Sequence, residues 1–157
     1  MQAIICLGSN LDNPLHQLEL ATAYLQEKCY VNILQKGNVT MTKPFGYEDQ
    51  PDFANQLLEI ETPLSPIELL VFLKSAEQVL GRKPTFKWGP RSIDLDIIFY
   101  TDKIINTEDL TIPHPGIADR EYLLSLLNEL IPDYIHPVLQ KSVSTIYKEF
   151  QNRGGTQ

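Results

Sequence analysis

The fold is decided by residues 87–100, which read KWGPRSIDLDIIFY. The second half of this stretch predicts a β-strand, because it is rich in β-branched and aromatic residues and is interrupted only by Asp94 and Asp96. Successive side chains along a strand point to opposite faces, so the two aspartates share one face while Leu95 and Ile97 share the other. The sequence therefore predicts a strand with an apolar face and a face that carries two neighbouring carboxylates.

The aspartate pair indicates a cation site. Carboxylates that leave water repel each other and lose hydration, so they need a compensating positive charge. Magnesium suits such a pair, since it often takes one or two protein carboxylates and completes its octahedron with water and phosphate oxygens. The turn at Gly89-Pro90 brings Arg91 to the same end of the strand, as expected where a polyphosphate binds. Taken alone, the pair could also be a solvated or edge-protecting face.

Composition narrows the class of protein. The chain has 157 residues and a formal net charge of −7 at pH 7, which argues against general nucleic-acid affinity. No segment approaches the length of an apolar membrane span, and the N-terminus is typical of a first strand rather than a signal peptide. The isolated Cys6 and Cys29 favour a reducing compartment. We therefore expect residues 1–157 to form a single cytoplasmic domain, a monomer without nucleic-acid or membrane partners.

Positive charge is concentrated in one short, turn-rich segment. Arg82, Lys83, Lys87 and Arg91 alternate there with glycine and proline. In an acidic protein such a basic loop suggests a small anionic ligand. A solvated charged loop is the alternative, and for Lys83 the two interpretations are equally good.

The rest of the chain alternates between strand and helix patterns. Strands are predicted at 2–7, 31–40, 53–61 and 94–100, with a short hairpin partner at 104–105. Helices are predicted to start at Pro14, Ser65 and 119, and a terminal helix is predicted at 141–150. This order predicts an α+β fold with a ferredoxin-like antiparallel sheet, helices packed on it, and a C-terminal hairpin and helices.

Local signals define the first two helices. Asn13 is the expected N-cap of the first helix, and its predicted buried stripe comprises Leu11, Leu15, Leu18, Ala21, Thr22 and Leu25. Ser65 and Glu68 form a capping box for the second helix, which Gly81 is expected to end. Glu77 lies at the border of that helix's apolar stripe, so it either reaches a partner, flanks a site or occupies an exposed edge.

Phe53 and Asn55 share one face of their predicted strand. An aromatic ring beside an amide suits a flat heterocycle, which can stack on one and hydrogen-bond to the other. A core phenylalanine beside an edge asparagine is the alternative.

His114 is held between two prolines and therefore has a well-defined position. A lone histidine is nevertheless most often structural, with its ring hydrogen-bonded to the backbone. The chain contains neither a P-loop motif nor a Rossmann fingerprint.

Residues 87–100 resemble the signature of the 6-hydroxymethyl-7,8-dihydropterin pyrophosphokinases, enzymes of folate biosynthesis. The resemblance covers nearly the whole chain and includes Leu7-Gly8-Ser9-Asn10, residues 49–55, Gly81-Arg82, and Ile112-Pro113-His114 with Arg120. It implies a transferase that moves the pyrophosphoryl group of its co-substrate ATP to the pterin hydroxymethyl group and releases AMP.

The resemblance also implies a role for individual residues. Asp94 and Asp96 would hold two magnesium ions and, with Arg82 and Arg91, would be the catalytic residues. The implied pterin-binding residues are Thr42, Pro44, Phe45, Phe53, Asn55 and Tyr122. The implied ATP-binding residues are Glu77, Trp88, Arg91, Ile97, His114 and Arg120. Arg82 would belong to a loop that closes over both substrates.

The chain departs from the family pattern at a few positions. Phe53 replaces a tyrosine, Lys43 a proline, and Pro115 an aromatic residue, and the Arg82 loop is about one residue short. A different magnesium-dependent phosphoryl or nucleotidyl transferase would use the same aspartate pair without selecting pterin. An RNA-binding module on a ferredoxin-like sheet is the alternative from another class.

Overall fold

The computed structural model describes residues 1–44, 46–81, 89–90 and 92–154. The strands are β1 (Ala3–Ser9), β2 (Asn32–Lys36), β3 (Thr40–Thr42), β4 (Phe53–Glu61), β5 (Asp94–Tyr100), β6 (Ile105–Asn106) and β7 (Thr111–Ile112). The α-helices are α1 (Pro14–Glu27), α2 (Pro66–Val79), α3 (Glu121–Leu130) and α4 (Val143–Asn152), and a 3-10 helix spans Ile117–Asp119.

The main sheet is antiparallel and has β1 near its centre. Its strand order is β2-β4-β1-β5, and β3 also pairs with β4. The register places Gly8 of β1 between Asn55 of β4 and Asp94 of β5. This confirms the predicted α+β fold and places the polar starts of β4 and β5 on either side of the end of β1.

Each face of the sheet is covered by a different pair of helices. The core toward α1 and α2 contains Ile5, Leu7, Leu58, Leu95 and Ile97 among other buried apolar residues. The core toward α3 and α4 is built from the alternate strand positions, which include Ile4, Cys6, Leu57 and Ile98. The predicted alternation along β5 is confirmed, since Leu95 and Ile97 lie in the first core.

The predicted limits of α2 are confirmed by its hydrogen bonds. The Ser65 hydroxyl accepts a hydrogen bond from the Glu68 N–H, and the Glu68 carboxylate accepts one from the Ser65 N–H. Gly81 follows the helix with a φ of +94°, a conformation that glycine adopts without a steric penalty.

The predicted buried stripe of α1 was wrong at Leu15, whereas the predicted N-cap position of Asn13 is confirmed. Leu15 is 54% exposed, whereas Leu18, Ala21 and Leu25 are buried. Helical periodicity indicates which face is apolar but not how far the packed surface extends along the helix. Asn13 does occupy the N-cap position, but its side chain makes no capping hydrogen bond and its φ is 62°.

Two strand predictions also need correction. The predicted strand at 31–40 is divided into β2 and β3, and Gly37 between them donates a hydrogen bond to the Leu57 carbonyl at 2.9 Å. The 104–105 segment was predicted to pair with β5, but β6 pairs with β7 in a separate two-stranded sheet. A bond from the Thr107 N–H to the Leu110 carbonyl closes that hairpin.

Candidate active site

A cavity of about 90 Å³ opens on the sheet face that carries α3, at the end where β5 begins. Its lining comes from β1, β3, β4, β5 and the start of α3: Cys6, Gly8, Thr42, Lys43, Phe53, Asn55, Asp94, Asp96, Arg120 and Tyr122. The structure thus brings the predicted aspartates together with four of the residues predicted to bind pterin, Thr42, Phe53, Asn55 and Tyr122, and with one predicted to bind ATP, Arg120.

Asp94 and Asp96 lie on one face of β5, as predicted, opposite Gly8 and Cys6 of β1. Both side chains are part-buried. Burial raises the pKa of Asp96 to about 7, and the neighbouring Asp94 carboxylate acts in the same direction. Burial beside these two aspartates also raises the pKa of the Cys6 thiol. Two neighbouring carboxylates that lose hydration favour a bound cation at this end of the cavity.

The opposite end of the cavity has an amide and an aromatic ring. Asn55 is buried, and its Nδ2 donates a hydrogen bond to the Thr42 hydroxyl at 2.9 Å. Weaker donations from the same nitrogen reach the Thr40 carbonyl at 3.5 Å and the Phe53 carbonyl at 3.4 Å. Opposite Asn55, Gly8 leaves the floor of the cavity open because it has no side chain. The arrangement suits a flat heterocycle that packs on Phe53 and meets Asn55.

Arg120 supplies positive charge between the two ends. Its guanidinium acts electrostatically on Asp96 and His114, and its side chain lines the cavity together with Tyr122. The side chain packs on Gly116, where an added Cβ would lie 2.8 Å from Arg120 Nε. Arg120 thus lies within reach of both the carboxylate pair and the aromatic wall.

His114 is anchored by the backbone on both sides. Its N–H donates to the Ile98 carbonyl at 2.9 Å, and its Nδ1 accepts from the Gly116 N–H at 3.0 Å. Burial and the Arg120 charge lower its pKa to about 4, although Asp94 acts in the opposite direction. The imidazole is therefore neutral near pH 7, which fits the structural interpretation. Its implied contact with ATP remains a prediction.

Glu77 and Ile97 lie on the other face of the sheet. Glu77 is 2% exposed, so the interpretation as an exposed edge residue was wrong. Its carboxylate accepts a hydrogen bond from the Leu95 N–H at 2.7 Å and forms an ion pair with Lys74 at 3.3 Å. Ile97 is buried in the core beneath α1 and α2. Both residues support β5 from behind the aspartates, and their assignment to an ATP site remains a prediction.

Sequence reasoning missed Asn10, to which it assigned no side-chain role. The Asn10 side chain is buried, and its Nδ2 donates to Gln50 Oε1 at 2.8 Å and to the Pro51 carbonyl at 2.9 Å. Gln50 in turn donates to the Tyr47 carbonyl at 2.6 Å. Asn10 therefore ties the end of β1 to the long loop at 42–52. Its partners lie about forty positions away, so no local pattern could have indicated the contact.

A larger cavity of about 680 Å³ adjoins the first and shares Thr42, Lys43 and Tyr122 with it. Pro44, the remaining described residue of the predicted pterin set, lines this second cavity. The predictions for Phe45, Arg82, Trp88 and Arg91, and those for Lys83 and Lys87, lie outside the described residues.

Within the described ranges, no cluster of three or more histidine, cysteine or acidic side chains is arranged to hold a metal ion. Magnesium commonly binds through one or two protein carboxylates and completes its coordination with water and phosphate oxygens, so the Asp94 and Asp96 pair suits it. The described helices include none that is long and apolar enough to cross a membrane.

Comparison with known proteins identifies relatives of the chain. A family model described as 7,8-dihydro-6-hydroxymethylpterin-pyrophosphokinase matches residues 4–132. A protein of Aquifex aeolicus named 2-amino-4-hydroxy-6-hydroxymethyldihydropteridine pyrophosphokinase is 39% identical over 145 residues, which cover 92% of this chain and 87% of the relative. The folic acid synthesis protein fol1 of Schizosaccharomyces pombe is 38% identical over 152 residues, which cover 97% of this chain and 21% of fol1.

A crystal structure of wild-type Plasmodium falciparum HPPK-DHPS with pteroate has the same fold. It superposes with a TM-score of 0.78 at 18% identity, and the match covers 96% of this chain and 42% of the Plasmodium chain. This chain thus spans about a fifth of fol1 and less than half of the Plasmodium protein. The family model and the Aquifex relative show that the chain belongs to the 7,8-dihydro-6-hydroxymethylpterin-pyrophosphokinase family.

Proposed function

We propose that the chain transfers the pyrophosphoryl group of ATP to the hydroxymethyl group of 6-hydroxymethyl-7,8-dihydropterin, giving AMP and the pterin diphosphate. One observation carries the proposal: a carboxylate pair and an amide–aromatic wall line the same cavity. A heterocycle held against Asn55 and Phe53 would direct its substituent toward Asp94 and Asp96. Family membership supports the same reaction.

Some residues of the cavity would orient the pterin, and others would balance the negative charge of the phosphates. Phe53 and Tyr122 provide aromatic surfaces for the pterin, and Asn55 provides hydrogen bonding at the edge of the ring. Arg120 lies where the phosphate chain would meet the carboxylate pair. Phosphoryl-type transfer depends mainly on positioning and charge neutralisation, so this division suits it.

Asp94 and Asp96 fit a divalent cation. They are part-buried neighbours, and burial together with the Asp94 carboxylate raises the pKa of Asp96. We assign the pair as ligands for two magnesium ions, which would neutralise the triphosphate and polarise the phosphoryl oxygens. The roles of Arg82, Arg91 and Trp88 in this reaction belong to the same proposal and derive from the family resemblance.

The described residues offer little support for a histidine base. His114 has a pKa of about 4 and uses its Nδ1 to accept the Gly116 N–H. An RNA-binding role is also poorly supported, because α3 and α4 pack on the sheet face that would have to be open and because the cavity is rich in carboxylates. We therefore favour a transferase that acts on small molecules over an RNA-binding module.

The proposal also covers the domain organisation, the cellular compartment and the oligomeric state. Residues 1–157 would act as a single pyrophosphokinase domain, since β1, β4 and β5 contribute to both described cores. The free Cys6 and Cys29 are compatible with the reducing cytoplasm. The monomeric state expected from the sequence stays a prediction, which sedimentation velocity would check.

Phosphorus NMR tests the reaction directly. The purified protein is mixed with ATP, magnesium and 6-hydroxymethyl-7,8-dihydropterin, and each component is omitted in turn. We expect AMP and a pterin-bound diphosphate to appear together, and only in the complete mixture. ADP or free phosphate would indicate a different phosphoryl transferase and would overturn the proposal.

A further inference from the structure

The outer edge of β5 is held by a side chain from α2. Among the described strands, β5 is the last of the main sheet and pairs only with β1, so backbone groups on its other side need partners that are not strands. The Leu95 N–H lies on that side and donates to the Glu77 carboxylate at 2.7 Å. Glu77 is 2% exposed, so this bond is shielded from water. A hydrogen bond to a charged acceptor is also one of the stronger kinds in proteins.

Leu95 is the residue that joins the two aspartates of the cavity. Its side chain is fully buried in the core toward α1 and α2, and its backbone lies opposite Leu7 of β1. The bond to Glu77 restrains it from a third direction. Because the peptide units on both sides of Leu95 are held in this way, the relative orientation of the Asp94 and Asp96 side chains is restricted as well.

Lys74 balances the charge of Glu77. Its Nζ lies 3.3 Å from one carboxylate oxygen and 3.5 Å from the other. Burial and Asp94 are the main causes of the raised pKa of Asp96, to which Glu77 adds and which Lys74 opposes. The ion pair therefore supplies an acceptor for the Leu95 N–H without adding net negative charge behind the aspartates.

We propose that Glu77 is a positioning residue for the cation site. By holding the Leu95 N–H, it sets the spacing and the direction of the Asp94 and Asp96 carboxylates. The inference rests on the proposed function and deepens it. Groups that orient metal ligands without touching the metal commonly change metal affinity about 10–100-fold. Glu77 would then act without contacting either substrate, which differs from the ATP contact that the family resemblance implies.

Three variants separate the hydrogen bond from charge and from stability. Glu77→Gln keeps an oxygen that can accept the Leu95 N–H and removes the negative charge. Glu77→Leu removes both the acceptor and the charge while keeping a side chain of similar size. Leu69→Ala is the matched control, because Leu69 is fully buried on the same helix and its truncation lowers stability without removing the bond.

Calorimetry measures the affinity of each variant for the α,β-methylene analogue of ATP, once with magnesium and once with EDTA. The analogue does not react, because the proposed transfer breaks the bond between the β-phosphorus and the oxygen that the methylene group replaces. The ratio of the two affinities is the contribution of the metal. We expect this ratio to fall about tenfold for Glu77→Leu and to stay within about threefold for Glu77→Gln and Leu69→Ala.

The same data can overturn the positioning role. If Glu77→Leu lowers the affinity by one factor with and without magnesium, the ratio is unchanged and Glu77 contacts the nucleotide itself. An equal loss of the ratio in Glu77→Gln would assign the effect to charge rather than to the hydrogen bond. An equal loss in Leu69→Ala would assign it to general stability.

The measurement uses neither pterin nor turnover, so it fails separately from the proposed function. If the unaltered protein shows the magnesium dependence but makes no pterin diphosphate, the reaction is overturned and the ratio still decides the role of Glu77. If it binds the analogue equally well with and without magnesium, the positioning role is wrong and phosphorus NMR alone decides the reaction. An unaltered protein that does not bind the analogue overturns both.

Discussion

The two faces of β5 differ in chemistry although their residues alternate one by one. Leu95 and Ile97 face α1 and α2 and are buried in an apolar core. Asp94 and Asp96 face the opposite side and line the cavity. A pleated strand directs neighbouring side chains in opposite directions. One strand can therefore pack into the core with one face and line a binding cavity with the other.

The face toward α3 is itself divided along its length. Near the end of β5, Ile98 packs beneath α3 and α4, while Asp94 and Asp96 at its start lie in the cavity. The helix layer thus covers only part of this face. α3 begins at Glu121, and Arg120 and Tyr122 at its start line the cavity.

The largest expected effect is on Asp96. Asp96→Ala should reduce turnover by about a thousandfold or more, because a polarising metal contributes several kcal/mol to the transition state. The fold should remain intact, since the carboxylate is poorly stabilised where it lies. Turnover and the midpoint of thermal unfolding are measured together. Near-normal turnover in a folded variant would remove the metal assignment.

The neighbouring residue should show the reverse behaviour. Leu95 is fully buried, so Leu95→Ala should lower the free energy of unfolding by about 2–5 kcal/mol, as for other buried leucines. Turnover below the unfolding transition should stay within the same order of magnitude. Urea denaturation and an activity assay on the same sample check this, and a large loss of turnover with little loss of stability would contradict the division between faces.

The buried carboxylate on the cavity face of β5 also predicts how the free energy of unfolding depends on pH. Asp96 has a pKa of about 7 in the fold against an ordinary value of 3.8. The folded protein keeps this proton while the unfolded chain releases it, so metal-free stability should fall as pH rises from about 4 to about 7. Unfolding in EDTA across this range measures the effect. Asp96→Asn should flatten the slope, and a slope unchanged in that variant would assign it to other groups.

A smaller effect is expected at the loop that Asn10 holds. Asn10→Ala removes the bonds to Gln50 and Pro51, and the loss of buried hydrogen bonds costs about 1–3 kcal/mol. Because the loop continues from Thr42, which bonds to Asn55, the KM for pterin should rise several-fold with little change in kcat. The exposed Asn106 on β6 provides a matched Asn→Ala control. A change in kcat with an unchanged KM for pterin would contradict a role of Asn10 in pterin binding.

The smallest effect is expected for the protonation of His114. Because its pKa is about 4, its ring signals in proton NMR should not shift between pH 5.5 and 8. The pH profile of turnover should lack a histidine limb in that range. A titration near pH 6.5 would show that the imidazole is more exposed to solvent than the structure indicates.

Local patterns in the sequence determined a large part of this protein. Strand alternation placed Asp94 and Asp96 on one face, and the capping box at Ser65 and Glu68 fixed the start of α2. The signature at 87–100 indicated the family that the comparisons show. Such features are encoded within a few residues, because they depend on backbone periodicity and on hydrogen bonds between near neighbours.

Only the tertiary structure decided which distant groups meet. It showed that Glu77 accepts the Leu95 N–H, that Asn10 holds the 42–52 loop, and that β6 pairs with β7 instead of β5. It also showed that Leu15 is exposed to solvent, although it belongs to an apolar stripe that otherwise packs on the sheet. The physical reason is the same in each case: burial and partner choice depend on surfaces that other parts of the chain supply, and local periodicity carries no information about where those surfaces lie or end.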